Sequence, residues 1–389
     1  MGKTILRKGF IRAPILIFRR FRFWLIQLVQ WFSTIQITIR KRKSLVLFIL
    51  PMGDVLNGGV ISIGSIYEET KRLLRTKGEK TDVLLVTSIN APRFLKFSGF
   101  SHSGLILHLP QLVTRINWSG LDKLLIHVPE YYFEQFITID YASFSKFFRK
   151  AKDLSINILN QNISLMVKPE FVRSVREQFN LELTITAAHQ QYANQRIAQE
   201  FNVPYHYLSV FIDPSLYSFK RVNEKKNIIC FSPDLHKFRE ETIEYIARHL
   251  PEFELITISG LSYRTYKELI ADAKYMITFG EGLDGYFIET IFSGGISMAM
   301  YNSEFFTPDF RDVPGVFDPM EDFKLLVVRM IRGTLGTTAY EQIQRRQFEV
   351  CSKYYRLDLY SQNIRTFYEK KFNVQSRILA DTNIKIDRT

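Results

Sequence analysis

The sequence predicts an α/β protein with two doubly wound parallel sheets and a basic amphipathic extension at its N terminus. Three observations predict this class. Short apolar runs alternate with stretches of helical periodicity, which is typical of parallel sheets covered by helices. A polar stretch at residues 215–226 separates two such series. A chain of 389 residues is also long for one domain and natural for two.

The positive charge of the chain is concentrated at its N terminus. The formal net charge is +13, but residues 1–43 hold 11 of the 52 basic residues and no acidic ones. The rest of the chain therefore carries 41 basic against 39 acidic residues. Because a nearly neutral body lacks the basic face that binds phosphate backbones, the charge argues against a nucleic-acid-binding protein.

The N-terminal extension predicts a helix that lies on a membrane surface. Residues 23–39 (FWLIQLVQWFSTIQITI) are uncharged, short for a membrane span, and carry a polar stripe at helical spacing. Basic clusters at both ends and tryptophans along the helix suit a surface of anionic lipid. We expect a peripheral protein on the cytoplasmic face of the membrane. Two alternatives stay open: an uncleaved signal anchor and a helix packed against the protein body.

The composition of the whole chain is that of a globular protein, with 46% apolar and 23% charged residues. The two cysteines, Cys230 and Cys351, lie far apart in unrelated patterns. This argues against a disulfide framework or a zinc site and favours a reducing compartment, with the cytosol as the default.

The first βα series begins at residue 44. Residues 44–50 form a continuous apolar strand, and a glycine-rich loop and a helix over residues 61–74 follow. Ligands of parallel sheets bind at the carboxyl ends of the strands, and His127 ends one of the predicted strands. A histidine in an apolar run is also a common core residue, which is the alternative for His127. The further strands are predicted at residues 81–88, 104–109, 121–128, 155–159 and 183–186.

The second series begins at residue 227 and leads to the most informative stretch of the chain. Residues 279–295, FGEGLDGYFIETIFSGG, join a strand, a glycine-rich turn and a helix start. Such a turn lets backbone N–H groups approach a ligand, and the helix N terminus behind it favours an anion. Glu281 and Glu289 are eight residues apart, so both carboxylates can face one ligand and accept hydrogen bonds from sugar hydroxyls. The alternative is an ordinary turn with two surface glutamates.

This stretch resembles the E-x7-E motif of the retaining glycosyltransferases of family 4 and their GT-B relatives. The resemblance implies two Rossmann-like domains. It assigns a catalytic role to Glu281, near the transferred sugar, and ribose binding to Glu289. Asp284 replaces a glycine of the motif, and its carboxylate would repel a diphosphate unless it caps the helix or turns outward. The residues that would bind the donor between the two glutamates are Gly282, Leu283, Asp284 and Gly285.

The resemblance extends to three further groups of residues. The loop before the helix at residue 241 resembles the donor-binding loop of the family, with Lys237 and Arg239 as candidates for the diphosphate. A solvated helix start is the alternative for this loop. His127 resembles a histidine position of the family, which implies a catalytic role. The loop after the first strand resembles the family's cleft-lining loop, which implies acceptor or cleft contacts for Asn57, Gly58 and Gly59.

These features divide the chain into five parts. We predict a membrane-associating segment at residues 1–43, an N-terminal Rossmann-like acceptor domain at 44–214 and a linker at 215–226. A C-terminal Rossmann-like domain for the nucleotide sugar follows at 227–350. The last part, 351–389, is predicted to be a helix that crosses back to the first domain, followed by a polar tail.

The sequence therefore predicts a glycosyltransferase that moves a sugar from a nucleotide-sugar donor to a membrane-associated, lipid-linked glycan in polysaccharide biosynthesis. The resemblance implies retention of configuration. No cofactor and no metal are expected, because in this fold a helix N terminus and basic side chains stabilise the leaving diphosphate. The predicted partners are a nucleotide sugar, a glycan acceptor and an anionic membrane. The alternative is a GT-B-like protein that has lost catalysis and serves as a partner or scaffold in a polysaccharide assembly complex.

Overall fold

The structure is a computed structural model that describes residues 25, 28, 43–50, 58–77, 80–89, 106–114, 116, 118–209, 214–318 and 322–375. The described residues fall into two compact units. The first lies within Met1–Thr186, Gln195–His206 and Phe372–Thr389, and the second within Ala187–Asn194 and Tyr207–Lys371. Asn57 and the predicted membrane-associating segment, apart from Leu25, Leu28 and Lys43, lie outside the described residues.

The described part of the first unit contains a seven-stranded sheet with the strand order β3-β2-β1-β4-β5-β6-β7. β1 pairs in parallel with both β2 and β4, and β2–β3 and β4–β5 are parallel as well. All residues of β1 after the first are buried, as expected for a central strand covered on both faces. The strands are β1 Ser44–Leu50, β2 Thr81–Thr87, β3 Ile106–His108, β4 Lys123–Pro129, β5 Asp153–Asn160, β6 Glu182–Ala187 and β7 Tyr205–Tyr207.

Helices connect most of these strands. The first helix begins at Gly58, three residues earlier than the apolar periodicity predicts, so the glycine pair lies in its first turn. A π-helical segment, Phe136–Tyr141, joins two shorter α-helices into one helical region. The helices are α1 Gly58–Thr76, α2 Leu109–Val113, α3 Phe133–Gln135, α4 Ala142–Phe148, α5 Pro169–Phe179 and α6 Gln195–Phe201.

The described part of the second unit contains a five-stranded sheet with the strand order β12-β11-β10-β8-β9, and every neighbouring pair is parallel. The strands are β8 Lys226–Phe231, β9 Glu254–Thr257, β10 Ala273–Ile277, β11 Ile296–Met300 and β12 Val316–Phe317. The helices are α7 Arg239–His249, α8 Tyr263–Asp272, α9 Gly285–Phe292, α10 Phe323–Gly333, α11 Thr337–Tyr354 and α12 Leu357–Tyr368.

The side chains of β10 alternate between two hydrophobic cores. Tyr275 and Ile277 pack with residues of α7 and α10. Met276 packs in the other core, with residues of α8 and α9. Because successive side chains of a strand point to opposite faces, helices cover both faces of this sheet. The prediction of two parallel, doubly wound α/β domains is confirmed.

The structure differs from the predicted domain boundaries at the linker and at the C terminus. The predicted linker contains two short 3-10 turns, and Lys225 near its end is buried and donates hydrogen bonds to the carbonyl groups of Ile270, Ala271 and Ala273 at the end of α8. These residues therefore belong to the second unit, as do α11 and α12. The chain returns to the first unit after residue 371, where Val374 forms an antiparallel bridge with Tyr205.

Among the helices that the structure describes, none combines the length and the apolarity needed to cross a lipid bilayer. Cys230 and Cys351 are both buried and unpaired with each other.

The end of α9 depends on a glycine. Gly294 follows the last helical turn with a φ of +85°, in the left-handed region that favours glycine. A Cβ atom at this position would collide with the carbonyl oxygen of Lys220. The glycine thus lets the segment before β8 pass directly over the end of α9, where the Lys220 N–H donates to the carbonyl of Ser293 at 3.2 Å.

We expect Gly294→Ala to lower the free energy of unfolding by about 2 kcal/mol or more. The alanine would have to adopt a left-handed conformation, and its Cβ atom would also collide with the backbone, so both energetic costs apply. Urea unfolding of the purified variant measures this change. Gly333→Ala is the matched control, since Gly333 ends α10 with no atom near the added methyl group. Equal stabilities of the two variants would contradict this account of the end of α9.

Candidate functional site

A tight turn of residues 278–284 leads from β10 into α9. Gly280 and Gly282 both have positive φ values, +66° and +78°. A Cβ atom on Gly282 would lie 2.7 Å from the ring of Phe306 and 3.0 Å from the carbonyl oxygen of Met300, so only glycine fits. The Thr278 hydroxyl donates to the Gly282 carbonyl at 2.7 Å and closes the turn. The sequence motif therefore forms the compact strand-to-helix turn that it predicts.

The loop after β8 lies beside this turn. The N–H of Phe279 donates to the hydroxyl of Ser232 at 3.0 Å, and the N–H of Ser232 donates to the carbonyl of Ile277 at 3.0 Å. Asp234 follows on the same loop, with its Cβ 3.4 Å from the position that a Cβ on Gly280 would take. Both loops leave the carboxyl ends of neighbouring parallel strands, which is where ligands bind in sheets of this type.

Asp284 caps α9. Its Oδ1 atom accepts a hydrogen bond from the N–H of Phe287 at 2.9 Å, the geometry of an N-cap residue. Burial raises the pKa of Asp284 well above its usual range, and the nearby carboxylates of Asp234, Glu281 and Glu289 act in the same direction. The hydrogen bond from Phe287 opposes this shift. The sequence analysis required Asp284 to cap the helix or turn outward if a diphosphate binds here. Its side chain does cap the helix, and its ionised form is disfavoured.

Glu289 folds back over the first turn of its own helix. Its Oε1 atom lies 3.6 Å from the position that a Cβ on Gly285 would take, so the missing side chain of Gly285 leaves room for the carboxylate. Burial raises the pKa of Glu289 to about 7. Hydrogen bonding by nearby tyrosine hydroxyls and the positive charge of Lys267 oppose this effect. The carboxylate is therefore held at the N-terminal end of α9.

Three tyrosines that the sequence analysis did not single out lie near this carboxylate and lower its pKa. They are Tyr217, Tyr263 and Tyr266. The hydroxyls of Tyr217 and Tyr263 are 2.9 Å apart, and the rings of Tyr263 and Tyr266 are stacked with centroids at 6.0 Å. The spacing of three residues on a helix could have revealed that Tyr263 and Tyr266 share a face of α8. No local pattern marks Tyr217, which reaches the site from outside the regular elements.

The remaining residues of the motif differ in exposure. Glu281 is half-buried in the turn, and its charge contributes to the raised pKa of Asp284. Leu283 is buried and belongs to the core between the sheet, α8 and α9. Glu281 thus lies in the glycine turn, and Glu289 lies in the second turn of α9 with its carboxylate folded back over the first, while Leu283 anchors the segment between them.

The two basic candidates before α7 are placed differently from each other. Lys237 is exposed, with its ammonium group 4.6 Å from the ring centroid of Phe238. The side chain of Arg239 is only 11% exposed. It donates to the Ser232 carbonyl at 3.5 Å and to the Thr257 hydroxyl at 3.1 Å, and it also pairs with the neighbouring Glu240. Lys237 is free to reach a ligand, whereas Arg239 supports the loop after β8.

The candidate residues of the first unit occupy a strand and a helix start. His127 on β4 is 1% exposed, stacks on Phe48 with ring centroids 4.3 Å apart, and lies 3.0 Å from the side-chain nitrogen of Asn157. Burial lowers the pKa of His127 to about 3, so the ring is neutral. His127 therefore has the placement of a buried core residue, which was the alternative that the sequence left open. It lacks the exposure that a catalytic role requires. Gly58 and Gly59 begin α1.

Comparisons with known proteins identify the fold. No protein-family model matches the chain, and no curated protein matches it by sequence. Solved structures do match over most of its length. A crystal structure of Anabaena Alr3699/HepE in complex with UDP and glucose aligns with a TM-score of 0.59 at 12% identity, covering 84% of this chain and 100% of that one.

Two further structures support the same fold. A crystal structure of S. aureus TarM aligns with a TM-score of 0.58 at 9% identity, covering 85% of this chain and 99% of that one. Sucrose-phosphate synthase from Thermosynechococcus elongatus aligns with a TM-score of 0.53 at 12% identity, covering 84% and 99%. These neighbours are GT-B glycosyltransferases, and at such identities the likeness shows the fold alone. The two parallel-sheet domains thus have the GT-B architecture.

The raised pKa of Glu289 predicts a pH-dependent cost to stability. Between pH 4.5, the ordinary pKa, and about pH 7 the folded protein retains a proton that the unfolded chain has released. Stability therefore falls as the pH rises through this window. Above pH 7 we expect Glu289→Gln to be more stable than the wild type by about 2 kcal/mol, and the gain should shrink toward pH 4.5.

Urea unfolding at several pH values checks this expectation. Glu252→Gln at an exposed position is the control for removing a carboxylate from the surface. A gain at Glu289 that does not vary with pH would show that the carboxylate is not desolvated in the folded protein.

Proposed function

We propose that the chain is a retaining GT-B glycosyltransferase of the family 4 type that uses a nucleotide-sugar donor. The observation that carries the proposal is the position of Glu289, whose carboxylate folds back to the N-terminal end of α9 beside a glycine turn. A helix N terminus binds phosphate groups, and a carboxylate beside it accepts hydrogen bonds from sugar hydroxyls. The helix N terminus thus suits the diphosphate of a nucleoside diphosphate, and the carboxylate suits its ribose.

The turn supplies the rest of the proposed donor site. The backbone N–H groups behind Gly282 bind the diphosphate, and Glu281 lies near the transferred sugar and stabilises charge that develops there. Lys237 is exposed on the neighbouring loop and adds a positive charge. HepE, which has the same fold, was crystallised with UDP-glucose, and this supports a nucleoside diphosphate sugar as the donor class. We propose that no metal is needed, because these groups already stabilise the leaving diphosphate.

One observation favours a second function, a GT-B-like scaffold without catalysis. Arg239, the other predicted diphosphate ligand, is engaged by Ser232, Thr257 and Glu240. A stronger reason to favour a scaffold would be a charged Asp284, because its carboxylate would repel the diphosphate of a donor. The capping bond to Phe287 and the raised pKa of Asp284 remove that ground, so the enzyme is the better supported function.

We further propose that the acceptor is a membrane-associated, lipid-linked glycan and that the enzyme acts in polysaccharide biosynthesis on the cytoplasmic face of the membrane. The support is the sequence of residues 1–43, with eleven basic residues around an amphipathic stretch that contains Trp24 and Trp31. Such a segment binds an anionic lipid surface and keeps the enzyme beside a lipid-linked substrate.

The two glutamates should have different effects on donor use. Glu289→Ala should weaken nucleotide binding by about tenfold, because a carboxylate that accepts two ribose hydroxyls is lost. Glu281→Ala should lower kcat more than it weakens donor binding, because its interaction is made in the transition state.

Calorimetry with a panel of nucleoside diphosphates, together with steady-state transfer assays, separates the two effects. Glu252→Ala serves as the control variant. Unchanged nucleotide affinity in Glu289→Ala would place the donor elsewhere, and unchanged turnover in Glu281→Ala would remove its catalytic role.

Deleting residues 1–43 should release the protein from native membranes while transfer to a water-soluble acceptor analogue is largely retained. High salt should release the full chain only in part, because salt screens the charges but leaves the burial of apolar side chains. Separating membrane and soluble fractions measures the release by the deletion and by salt, and a sugar-transfer assay of each fraction measures the retained activity. A truncated protein that stays on the membrane would contradict this proposal, and an insoluble one would favour a helix packed on the body.

A further inference from the structure

The Glu289 carboxylate is surrounded by three tyrosine side chains that come from two segments of the second unit. Tyr263 and Tyr266 lie on the first turns of α8, and Tyr217 precedes β8. We propose that these tyrosines are positioning residues, whose hydroxyl groups orient Glu289 so that the site binds ribonucleotides and discriminates against 2′-deoxyribonucleotides. This inference rests on the proposed function, since it specifies which nucleotides the donor site accepts.

The tyrosines are themselves held rigidly. The ammonium group of Lys267 lies 4.8 Å from the ring centroids of both Tyr217 and Tyr263 and donates to the carbonyl of Leu216 at 3.2 Å. The ring of Tyr266 is stacked with that of Tyr263 and packs edge-on against Tyr286, with centroids 5.6 Å apart. Fixed hydroxyl groups beside the carboxylate limit the directions in which it accepts further hydrogen bonds.

Tyr266 provides a second, independent observation. Its side chain is only 6% exposed, and its hydroxyl has no partner with hydrogen-bond geometry. The hydroxyl is nevertheless close enough to Glu289 to lower the pKa of that carboxyl. A buried hydroxyl without an aligned partner costs free energy, and a hydrogen bond formed when a ligand binds would remove that cost. The cluster is thus incomplete without a ligand.

The chemistry of the carboxylate explains the expected selectivity. An ionised carboxylate offers about four acceptor positions, so it can contact tyrosine hydroxyls and still accept both hydroxyls of a ribose. A nucleotide without the 2′-hydroxyl leaves one of these oriented acceptor positions unpaired in a partly buried site. If the carboxylate could rotate freely, a single ribose hydroxyl would satisfy it equally well. Discrimination therefore depends on the tyrosines as well as on Glu289.

The protonation of Glu289 is part of the same arrangement. The charged groups that face it are Lys267 on α8 and Asp284 at the cap of α9. Tyrosine hydroxyls that donate to the carboxylate favour its ionised form, so the loss of one hydroxyl should raise the pKa of Glu289 above its value of about 7. Ribonucleotide affinity should in turn increase as the pH rises through about 7, because the ionised form accepts both hydroxyls.

The first experiment compares matched nucleotides. Calorimetry with UDP, GDP, ADP and CDP identifies the nucleoside diphosphate that the full-length protein binds best, and that compound is then compared with its 2′-deoxy counterpart. We expect the ribo-to-deoxyribo affinity ratio to fall about fivefold in Tyr266→Phe, and to fall also in Tyr217→Phe and Tyr263→Phe. Tyr275→Phe is the control, since it removes a buried hydroxyl that is bonded to Thr334 in the other core.

The second experiment needs no nucleotide. A pH titration of protein labelled with 13C-glutamate follows the side-chain carboxyl carbons and gives the titration midpoint of the Glu289 carboxyl. The Glu289→Gln variant assigns its signal. We expect this midpoint to be higher in Tyr266→Phe than in the wild type and unchanged in Tyr275→Phe. A merely structural role of the tyrosines would lower stability without moving this midpoint.

The two experiments together decide the inference. An unchanged affinity ratio with an unchanged midpoint in all three variants would overturn the positioning role, even if nucleotides bind well. A raised midpoint in a protein that binds none of the four nucleotides would overturn the ribonucleotide selectivity together with the proposed donor site. A lower ratio and a raised midpoint, both absent from the control, support the inference.

Discussion

The hydrogen bond that Asp284 accepts from the N–H of Phe287 determines where α9 begins, and the proposed donor site depends on that starting point. A helix that begins at Gly285 presents its unpaired N–H groups at the glycine turn and places Glu289 one turn further, where its carboxylate returns to the same end. A start displaced by one residue would rotate Glu289 by about 100° around the helix axis and away from the tyrosines. Asp284, which stands where the resembled E-x7-E motif has a glycine, is therefore compatible with the proposed site.

The arrangement concentrates carboxyl groups where an anion is proposed to bind. Burial raises the pKa of Asp284, and the nearby carboxylates of Asp234, Glu281 and Glu289 act in the same direction; burial also raises the pKa of Glu289. Such groups lower the stability of the folded protein at neutral pH. Costs of this kind are typical of functional sites, because a preorganised site holds polar groups in positions that folding alone would not select.

The fold supports this turn from both sides. The residues of β10 alternate between two cores, so the strand that delivers the turn is fixed by packing on each face. The hydrogen bonds of Ser232 join the loop after β8 to the end of β10. The GT-B architecture alone names no substrate, since one fold serves many reactions. The proposed nucleotide-sugar function therefore depends on the carboxylates and on the helix start, and the structural neighbours show the fold alone.

The sequence by itself determined the two parallel α/β domains, the strand-turn-helix order around Glu281 and Glu289, and the need for glycine in the turn. These properties are local, because hydrophobic periodicity and motif spacing act over a few residues. Tertiary structure alone decided the rest. It buried His127 beneath Phe48, engaged Arg239 with Ser232 and Thr257, and brought Tyr217 from before β8 to the neighbourhood of the Glu289 carboxylate. Burial and contact between distant segments follow from packing, which no window of sequence contains.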